Sequence, residues 1–141
     1  MNKIQGRLLG LDIGDRRIGV AVSDEMGWTA QPIVTISRTN VEKDTEKLKQ
    51  ILDEYGVKKI VVGLPRALSG KITPQTQKVL DFIEEIKKKW DIPIEAWDEW
   101  FTTKEAERIL ISADMSRKKR KGVIDQLSAV LILQSYLNAQ K

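Results

Sequence analysis

The chain has 141 residues, of which 41% are hydrophobic and 31% charged, and its formal net charge is +4. This composition is typical of one globular domain with a hydrophobic core, and it excludes a disordered chain or one with a membrane span of roughly 18 apolar residues. The absence of cysteine and histidine excludes disulfide frameworks, thiolate or imidazole zinc sites, and Ser-His or Cys-His nucleophile pairs. Any catalysis must therefore come from carboxylates, a lysine, hydroxyls or a metal held by carboxylates.

A single domain over residues 1–141 is expected, because the sequence shows no repeat, low-complexity tract or linker. The opening MNKIQGRLLG has no apolar block followed by a small-residue cleavage site. We therefore expect no signal peptide, no membrane partner and a cytoplasmic location. The positive net charge weakly favours a polyanionic partner such as nucleic acid.

Three short strands are predicted between residues 7 and 37, joined by polar turns that contain glycine. Such breaks between apolar segments are typical of antiparallel hairpins. A helix follows, opening with Thr39 and Glu42 at the spacing of a capping box and ending at Gly56. The continuous apolar run KKIVVGLP then predicts a strand that is buried on both faces.

The second half of the chain predicts further helices around one more strand. Thr73 and Pro74 suit the N-cap and first position of a second helix. IPIEAW predicts a fifth strand, a capping box at Thr102 and Glu105 predicts a third helix, and VIDQLSAVLILQSYL predicts the last helix. The order indicates an α/β fold with a mixed five-stranded sheet, three antiparallel strands and then parallel ones, packed against helices.

Three acids lie where this fold could bring them together. Asp12 ends the first strand, Glu99 follows Asp98 at the end of the fifth, and Asp125 lies in the last helix beside Ser128. Ligand sites gather at the carboxyl ends of parallel strands. Clustered carboxylates repel one another unless a cation neutralises them, and carboxylates favour hard cations. The pattern therefore indicates a site for one or two Mg²⁺ or Mn²⁺ ions.

Each acid also has an ordinary structural interpretation, and the sequence leaves these alternatives open. Asp12 suits the start of a turn, because Asp side chains hydrogen-bond nearby backbone groups. Glu99 suits the first turn of a following helix, where the helix dipole favours negative charge. Asp125 suits a solvated helix face. The joint pattern, more than any single residue, favours a site.

The segment SRKKRKG, residues 116–122, places five cations before or at the start of the last helix. Positive charge there opposes the helix dipole, and an anionic ligand would reverse that effect. We therefore expect phosphate contact from this run, with a solvated charge run as the alternative. The residues concerned are Arg117, Lys118, Lys119, Arg120 and Lys121. The loop GLPRALSGK, residues 63–71, is a further candidate through Lys71 and its backbone N–H groups, although an ordinary connection is equally compatible.

Four motifs occur in the order LGLDIGDRRIGVAVSD, IVVGLPRALSG, WDEWFTTKEAERIL and SRKKRKGVIDQLSAVLILQSYL. Together they resemble the YqgF/RuvX-type proteins, a bacterial branch of the ribonuclease H-like, Holliday-junction-resolvase superfamily. The likeness extends from about Leu8 to Leu137. It implies a ribonuclease H-like fold with helices on both faces of the sheet, and divalent-metal hydrolysis of phosphodiesters. The implied substrates are the 5′ end of pre-16S ribosomal RNA and, in some members, branched DNA.

The resemblance also implies roles for particular residues. The family's acidic positions fall on Asp12, Glu99 and Asp125, which become the expected catalytic residues and metal ligands. The family commonly reads Asp-Glu-Arg-Leu-Thr-Thr where this chain reads DEWFTT, so Trp100 replaces an arginine suited to substrate contact. This departure bears on substrate preference more than on catalysis. A monomer and a homodimer are both compatible with the sequence.

Two other classes of function remain open. LDIGDRRIGVAV resembles the first phosphate-binding hairpin of sugar kinases and actin-type phosphohydrolases, but those enzymes close two related domains around the nucleotide. A non-catalytic RNA-binding or ribosome-assembly factor could use the same scaffold. The three acids speak against such a factor, because binding to a polyanion gains nothing from clustered carboxylates.

Overall fold

The strands and helices follow the predicted order along the chain. The computed structural model describes residues 6–65, 70–99 and 117–140, with the backbone alone at 99 and 117–122. The strands are β1 (Arg7–Ile13), β2 (Arg17–Ser23), β3 (Ala30–Ser37), β4 (Val57–Pro65) and β5 (Ile94–Glu99). The helices are α1 (Val41–Tyr55), α2 (Pro74–Lys89) and α3 (Arg117–Ala139). The helix predicted to open at Thr102 and Glu105 lies outside the described residues.

The five strands form one mixed sheet with the order β3-β2-β1-β4-β5. β1, β2 and β3 pair antiparallel, whereas β1, β4 and β5 pair parallel. The predicted division into three antiparallel strands followed by parallel ones is therefore confirmed. The carboxyl ends of β1, β4 and β5 meet at one edge of the sheet.

Helices cover both faces of this sheet, as expected. α1 and α2 cover one face, where alternate β1 residues such as Leu9 and Leu11 join their core. α3 covers the other face and packs on β1, β2 and β3. Because strand residues alternate between faces, Leu8, Gly10 and Asp12 lie on the α3 side. Within the ranges described, no helix has the length and apolar character needed to cross a membrane.

The helix starts match the predictions at α2 but differ at α1. Thr73 is the N-cap of α2 and Pro74 its first residue, as predicted. The capping box expected at Thr39 is wrong by one residue, because Asn40 is the N-cap of α1 and accepts from the Lys43 backbone N–H. The Thr39 N–H instead donates to the buried Asp44 carboxylate.

Candidate active site

Asp12 lies near the carboxyl end of β1, on the face that α3 covers. Its partner across the antiparallel ladder is Gly19 of β2. The parallel register runs from Leu11 to Val62 and on to Ala96, so Asp12 lies level with Trp97, two residues before the end of β5. The prediction that Asp12 lies at the carboxyl end of a core strand is confirmed, with the strand continuing one residue further, to Ile13.

Gly19 brings Asp125 of α3 against Asp12. A Cβ atom at position 19 would lie 1.9 Å from the carbonyl oxygen of Asp125 and 3.0 Å from its Cβ. Helix backbone therefore occupies the space that any side chain at position 19 would need. Asp125 can lie directly over Gly19, and therefore beside Asp12, because Gly19 has no side chain.

The two carboxylates interact electrostatically. The pKa of Asp12 is raised from an ordinary 3.8 to about 7: burial is the largest cause, the negative charge of Asp125 adds to the rise, and the Ser128 hydroxyl offsets part of it. Both main causes disfavour the charged form of Asp12 in the metal-free protein. A cation placed between these carboxylates would favour the charged form and so offset both effects.

Asp125 also forms an ion pair with Arg17, the first residue of β2. Arg17 Nε lies 2.6 Å from Asp125 Oδ2. Arg17 is in phase with Gly19, so strand alternation puts it on the face that α3 covers. The Asp125 side chain is only 21% exposed, which contradicts the alternative of a solvated helical acid.

Ser128 lies one helical turn after Asp125 and is buried. Its Oγ atom has no hydrogen bond of ordinary geometry within the described part of the chain, although its proximity lowers the pKa of Asp12. An enclosed hydroxyl with unused acceptor capacity, next to two carboxylates, makes a set of hard oxygen donors. This donor chemistry fits Mg²⁺ or Mn²⁺.

The donor set in the described side chains is incomplete. No group of three or more Asp, Glu, His or Cys side chains suited to a metal occurs among them. The Glu99 backbone ends β5 and pairs with Pro65, and Asp98 pairs with Leu64. The Glu99 side chain lies outside the described part, so its predicted place beside Asp12 and Asp125 stays a prediction.

The end of β5 is anchored to α3 by an aromatic contact. The rings of Trp97 and Tyr136 meet edge to face with centroids 5.2 Å apart, and Trp97 Nε1 donates to Ser135 Oγ over 3.1 Å. Asp98, the next residue, belongs to the other face of β5 by strand alternation.

The predicted phosphate-binding residues lie in two parts of the chain. The backbone of Arg117–Lys121 forms the first turns of α3, inside the helix rather than before it. At a rise of 1.5 Å per residue, these positions lie roughly 6–12 Å along the axis from Asp125. Lys71 is exposed in the segment that precedes α2. Residues 66–69 of the predicted loop, the side chains of 117–121 and Trp100 lie outside the described part.

The turn between β1 and β2 is braced from outside the hairpin. Arg38 Nη1 donates to the Gly14 carbonyl over 2.8 Å, and Arg38 Nε donates to Asp44 over 3.1 Å. On the α2 side, Lys78 Nζ lies 3.2 Å from an Asp15 oxygen. This turn connects Asp12 to Arg17, so its bracing restrains the backbone at both residues.

Three residues of this site were not identified as functional from sequence: Arg17, Gly19 and Ser128. A signal for the first two exists in β2, where Arg17, Gly19, Ala21 and Ser23 alternate with the core residues of the other face. The run of small side chains after Arg17 is the pattern of a strand that a helix approaches closely.

The sequence model of one family, RuvX: Holliday junction resolvase, matches residues 6–139. A curated relative from Thermoanaerobacter pseudethanolicus is 55% identical over 136 residues, covering 96% of this chain and 98% of its own. One from Desulforudis audaxviator is 51% identical over 135 residues and covers 96% of both chains. Both carry the name "Putative pre-16S rRNA nuclease".

Solved structures with low sequence identity share the fold. Thermus thermophilus RuvC in complex with a Holliday junction substrate superposes with a TM-score of 0.57 at 14% identity, over 95% of both chains. The fowlpox virus resolvase in complex with Holliday junction DNA gives a TM-score of 0.58 at 12% identity, over 95% of this chain and 98% of its own. These similarities confirm the ribonuclease H-like α/β fold.

Proposed function

The chain belongs to the RuvX family, and on that premise we propose that it is a metal-dependent endonuclease that matures the 5′ end of pre-16S ribosomal RNA in the cytoplasm. The names of relatives about half identical to this chain support that substrate. The observation that carries the proposal is the juxtaposition of Asp12 and Asp125, with the pKa of Asp12 raised to about 7. A structural turn residue or a purely RNA-binding surface gains nothing from such a pair.

In this proposal Asp12, Glu99 and Asp125 hold one or two Mg²⁺ or Mn²⁺ ions, and Ser128 adds a hydroxyl oxygen beside them. Bound cations of this kind activate a water for attack and stabilise the leaving oxygen in phosphodiester hydrolysis. The chain's own part is to keep the oxygen donors in position. Gly19 sets the distance between α3 and the sheet, and the braced β1–β2 turn restrains Asp12.

Asp12 must give up its proton to serve as a ligand, because only the ionised carboxylate neutralises a cation. The raised pKa makes this release part of metal binding near neutral pH. Asp12 is therefore both a ligand and the group that makes metal loading depend on pH.

The substrate backbone is held by cations on the same side of the molecule. We assign phosphate contact to Arg117, Lys118, Lys119, Arg120 and Lys121 in the first turns of α3, and to Lys71 before α2. Support comes from their placement, because the run precedes Asp125 on one helix. Such contacts supply sequence-independent affinity and position the scissile phosphodiester over the carboxylates.

The decisive experiment compares Asp12→Asn with Asp53→Asn. Asp53 is an exposed carboxylate on α1, which covers the other face of the sheet, so its substitution removes an acid and leaves the site intact. Single-turnover cleavage of a pre-16S RNA fragment in Mg²⁺ should fall by orders of magnitude in Asp12→Asn and remain near the parental rate in Asp53→Asn. Equal rates in all three proteins would overturn the proposal.

A branched-DNA resolvase is the second candidate, favoured by the description of the matched family. Paired cuts on a four-way junction require two sites and hence a homodimer, whereas trimming an RNA end requires one. Cleavage of a four-way DNA junction, measured in parallel with the RNA assay and with the oligomeric state in solution, separates the two. Metal-dependent RNA binding without cleavage of either substrate would support the assembly-factor alternative.

A further inference from the structure

We propose that Arg17 is an internal counterion of the candidate active site, which neutralises Asp125 in the metal-free protein and leaves that carboxylate when a divalent cation binds. Arg17 then sets the metal affinity without being a ligand. The inference rests on the proposed function, because it concerns the cation of that same site. It adds a residue that lowers the metal affinity by competition, which the sequence did not reveal.

The geometry places two cations in competition for one carboxylate. Arg17 Nε lies 2.6 Å from Asp125 Oδ2, which is the distance of a strong charge-assisted hydrogen bond. A divalent ion binds carboxylate oxygens at about 2.0–2.6 Å, so it would stand beside the guanidinium if Arg17 did not move. Since like charges at such distances repel strongly, both cannot hold the same carboxylate at full strength.

Arg17 is free to move in a way that Asp125 is not. The Arg17 side chain is 44% exposed, whereas that of Asp125 is 21% exposed and its backbone is pressed against Gly19. A long side chain at the start of a strand can turn its guanidinium into solvent at small cost. Asp125, which is fixed, is therefore the metal ligand, and Arg17, which can move, is the cation that a metal would replace.

The ion pair is a weak candidate for a purely structural role. Partly exposed ion pairs contribute little to folding stability, because solvent screens them and side-chain entropy opposes them. A purely structural Arg17 would help to hold Asp125 in place, so its loss would weaken metal binding. A counterion predicts the opposite sign, because its loss removes a competitor.

The test measures metal affinity directly, by calorimetric titration of Mn²⁺ into the metal-free protein. Arg17→Gln should bind Mn²⁺ about threefold to tenfold more tightly than the parent, since a competing cation beside the ligand is gone. Arg16→Gln is the matched control, because it removes the same charge from the neighbouring exposed residue of the turn. It should change the affinity by less than Arg17→Gln. Arg17→Lys should return the affinity towards the parental value.

The outcomes separate this inference from the proposed function. Weaker binding in Arg17→Gln, or equal effects of Arg17→Gln and Arg16→Gln, would overturn the counterion role and leave the metal site standing. Each titration is repeated with Asp12→Asn added, which should remove the binding. Mn²⁺ binding that is absent, or that survives Asp12→Asn in every background, would overturn the metal site itself and the counterion role with it.

Discussion

The backbone carbonyl of Asp125 lies over Gly19, where a Cβ atom would be only 1.9 Å from the carbonyl oxygen. Gly19 is also the ladder partner of Asp12. Gly19, which has no side chain, therefore lies beside Asp12 in the sheet and directly under Asp125 of the helix.

Gly19→Ala should be strongly destabilising, because the methyl group meets backbone that must shift as a unit. We expect a loss of about 3 kcal/mol in the free energy of unfolding, at the upper end for overpacking. The increase in melting temperature that we expect Mg²⁺ to give the parent should also shrink, since Asp125 is displaced from Asp12. Thermal melts with EDTA and with Mg²⁺ measure both effects.

Gly10→Ala is the control for that experiment. Its Cβ would lie 2.7 Å from the Leu133 side chain, on the same helix but two turns beyond Asp125. It should lower stability while keeping the Mg²⁺-induced increase. If Gly19→Ala kept that increase as fully, the approach of α3 at Gly19 would not govern the site.

Asp12 should make the stability of the metal-free protein depend on pH. Its pKa is about 7 in the folded protein against 3.8 for the ordinary group, so the folded state holds a proton that the unfolded chain has released. This contribution is fully present below about pH 3.8 and is lost as the pH rises to about 7. The unfolding free energy of the parent minus that of Asp12→Asn should therefore decrease between pH 4 and pH 8. Urea denaturation in EDTA measures it, and a difference that stays constant or increases would contradict the protonated state.

Metal binding should release protons. Because Asp12 is partly protonated near its pKa of about 7, a cation that needs the carboxylate must displace the proton. Mn²⁺ affinity should rise as the pH increases from 6 to 8. The heat of binding should vary with the ionisation enthalpy of the buffer, indicating release of up to about one proton. A binding heat independent of the buffer at pH 6.5 would argue against Asp12 as a ligand.

Asp44 should be a stability determinant that supports the site from a distance. Its carboxylate is 1% exposed and binds Arg38, which also holds the Gly14 carbonyl. Asp44→Ala leaves Arg38 without its buried partner, for which we expect a loss of about 3–5 kcal/mol. Asp53→Ala, which removes an exposed partner of Lys49, should cost below about 0.5 kcal/mol. Comparable losses in chemical denaturation would show that burial does not distinguish the two pairs.

The basic run should govern nucleic-acid affinity through counterion release. Replacing Lys118, Lys119 and Arg120 by Ala should weaken binding and reduce the salt-dependence slope by about 2–3, if each contacts a phosphate. The matched control is the triple Ala replacement of Lys87, Lys88 and Lys89, the same charge change at the far end of α2. Affinities measured at several salt concentrations give the two slopes. Equal slopes for the two variants would show that the basic run is a solvated surface without phosphate contacts.

The sheet could be predicted because its signals are local. Short polar turns indicate the hairpins between β1, β2 and β3, and the buried run of β4 is a continuous apolar segment. The placement of Asp12 and Asp125 on one face was also accessible, since strand and helix periods assign each residue a side. The missed N-cap of α1 depends on Asp44, whose bond to the Thr39 N–H moves the helix start by one residue.

The Arg17–Asp125 pair could not be predicted from the same signals. These residues are 108 positions apart, and only the packing of α3 on β2 makes them neighbours. The role of Gly19 could not be predicted either, because the need for a glycine in this strand becomes clear only when the helix that covers it is known. Local periodicity assigns each residue to a face of its strand or helix. Which residues of two packed faces contact each other can be seen only in the assembled fold.

The covering of one sheet face by α3 has a consequence for the order of events during synthesis. Leu8, Ala21 and Val61 on that face are buried with residues of α3. The first of these α3 residues, Ala129, is made 68 residues after Val61. A nascent chain that ends before α3 carries Asp12 and Arg17 in a hairpin but no Asp125. The carboxylate pair then forms in the same step that closes the core, so the candidate site is complete only after the last helix has been made.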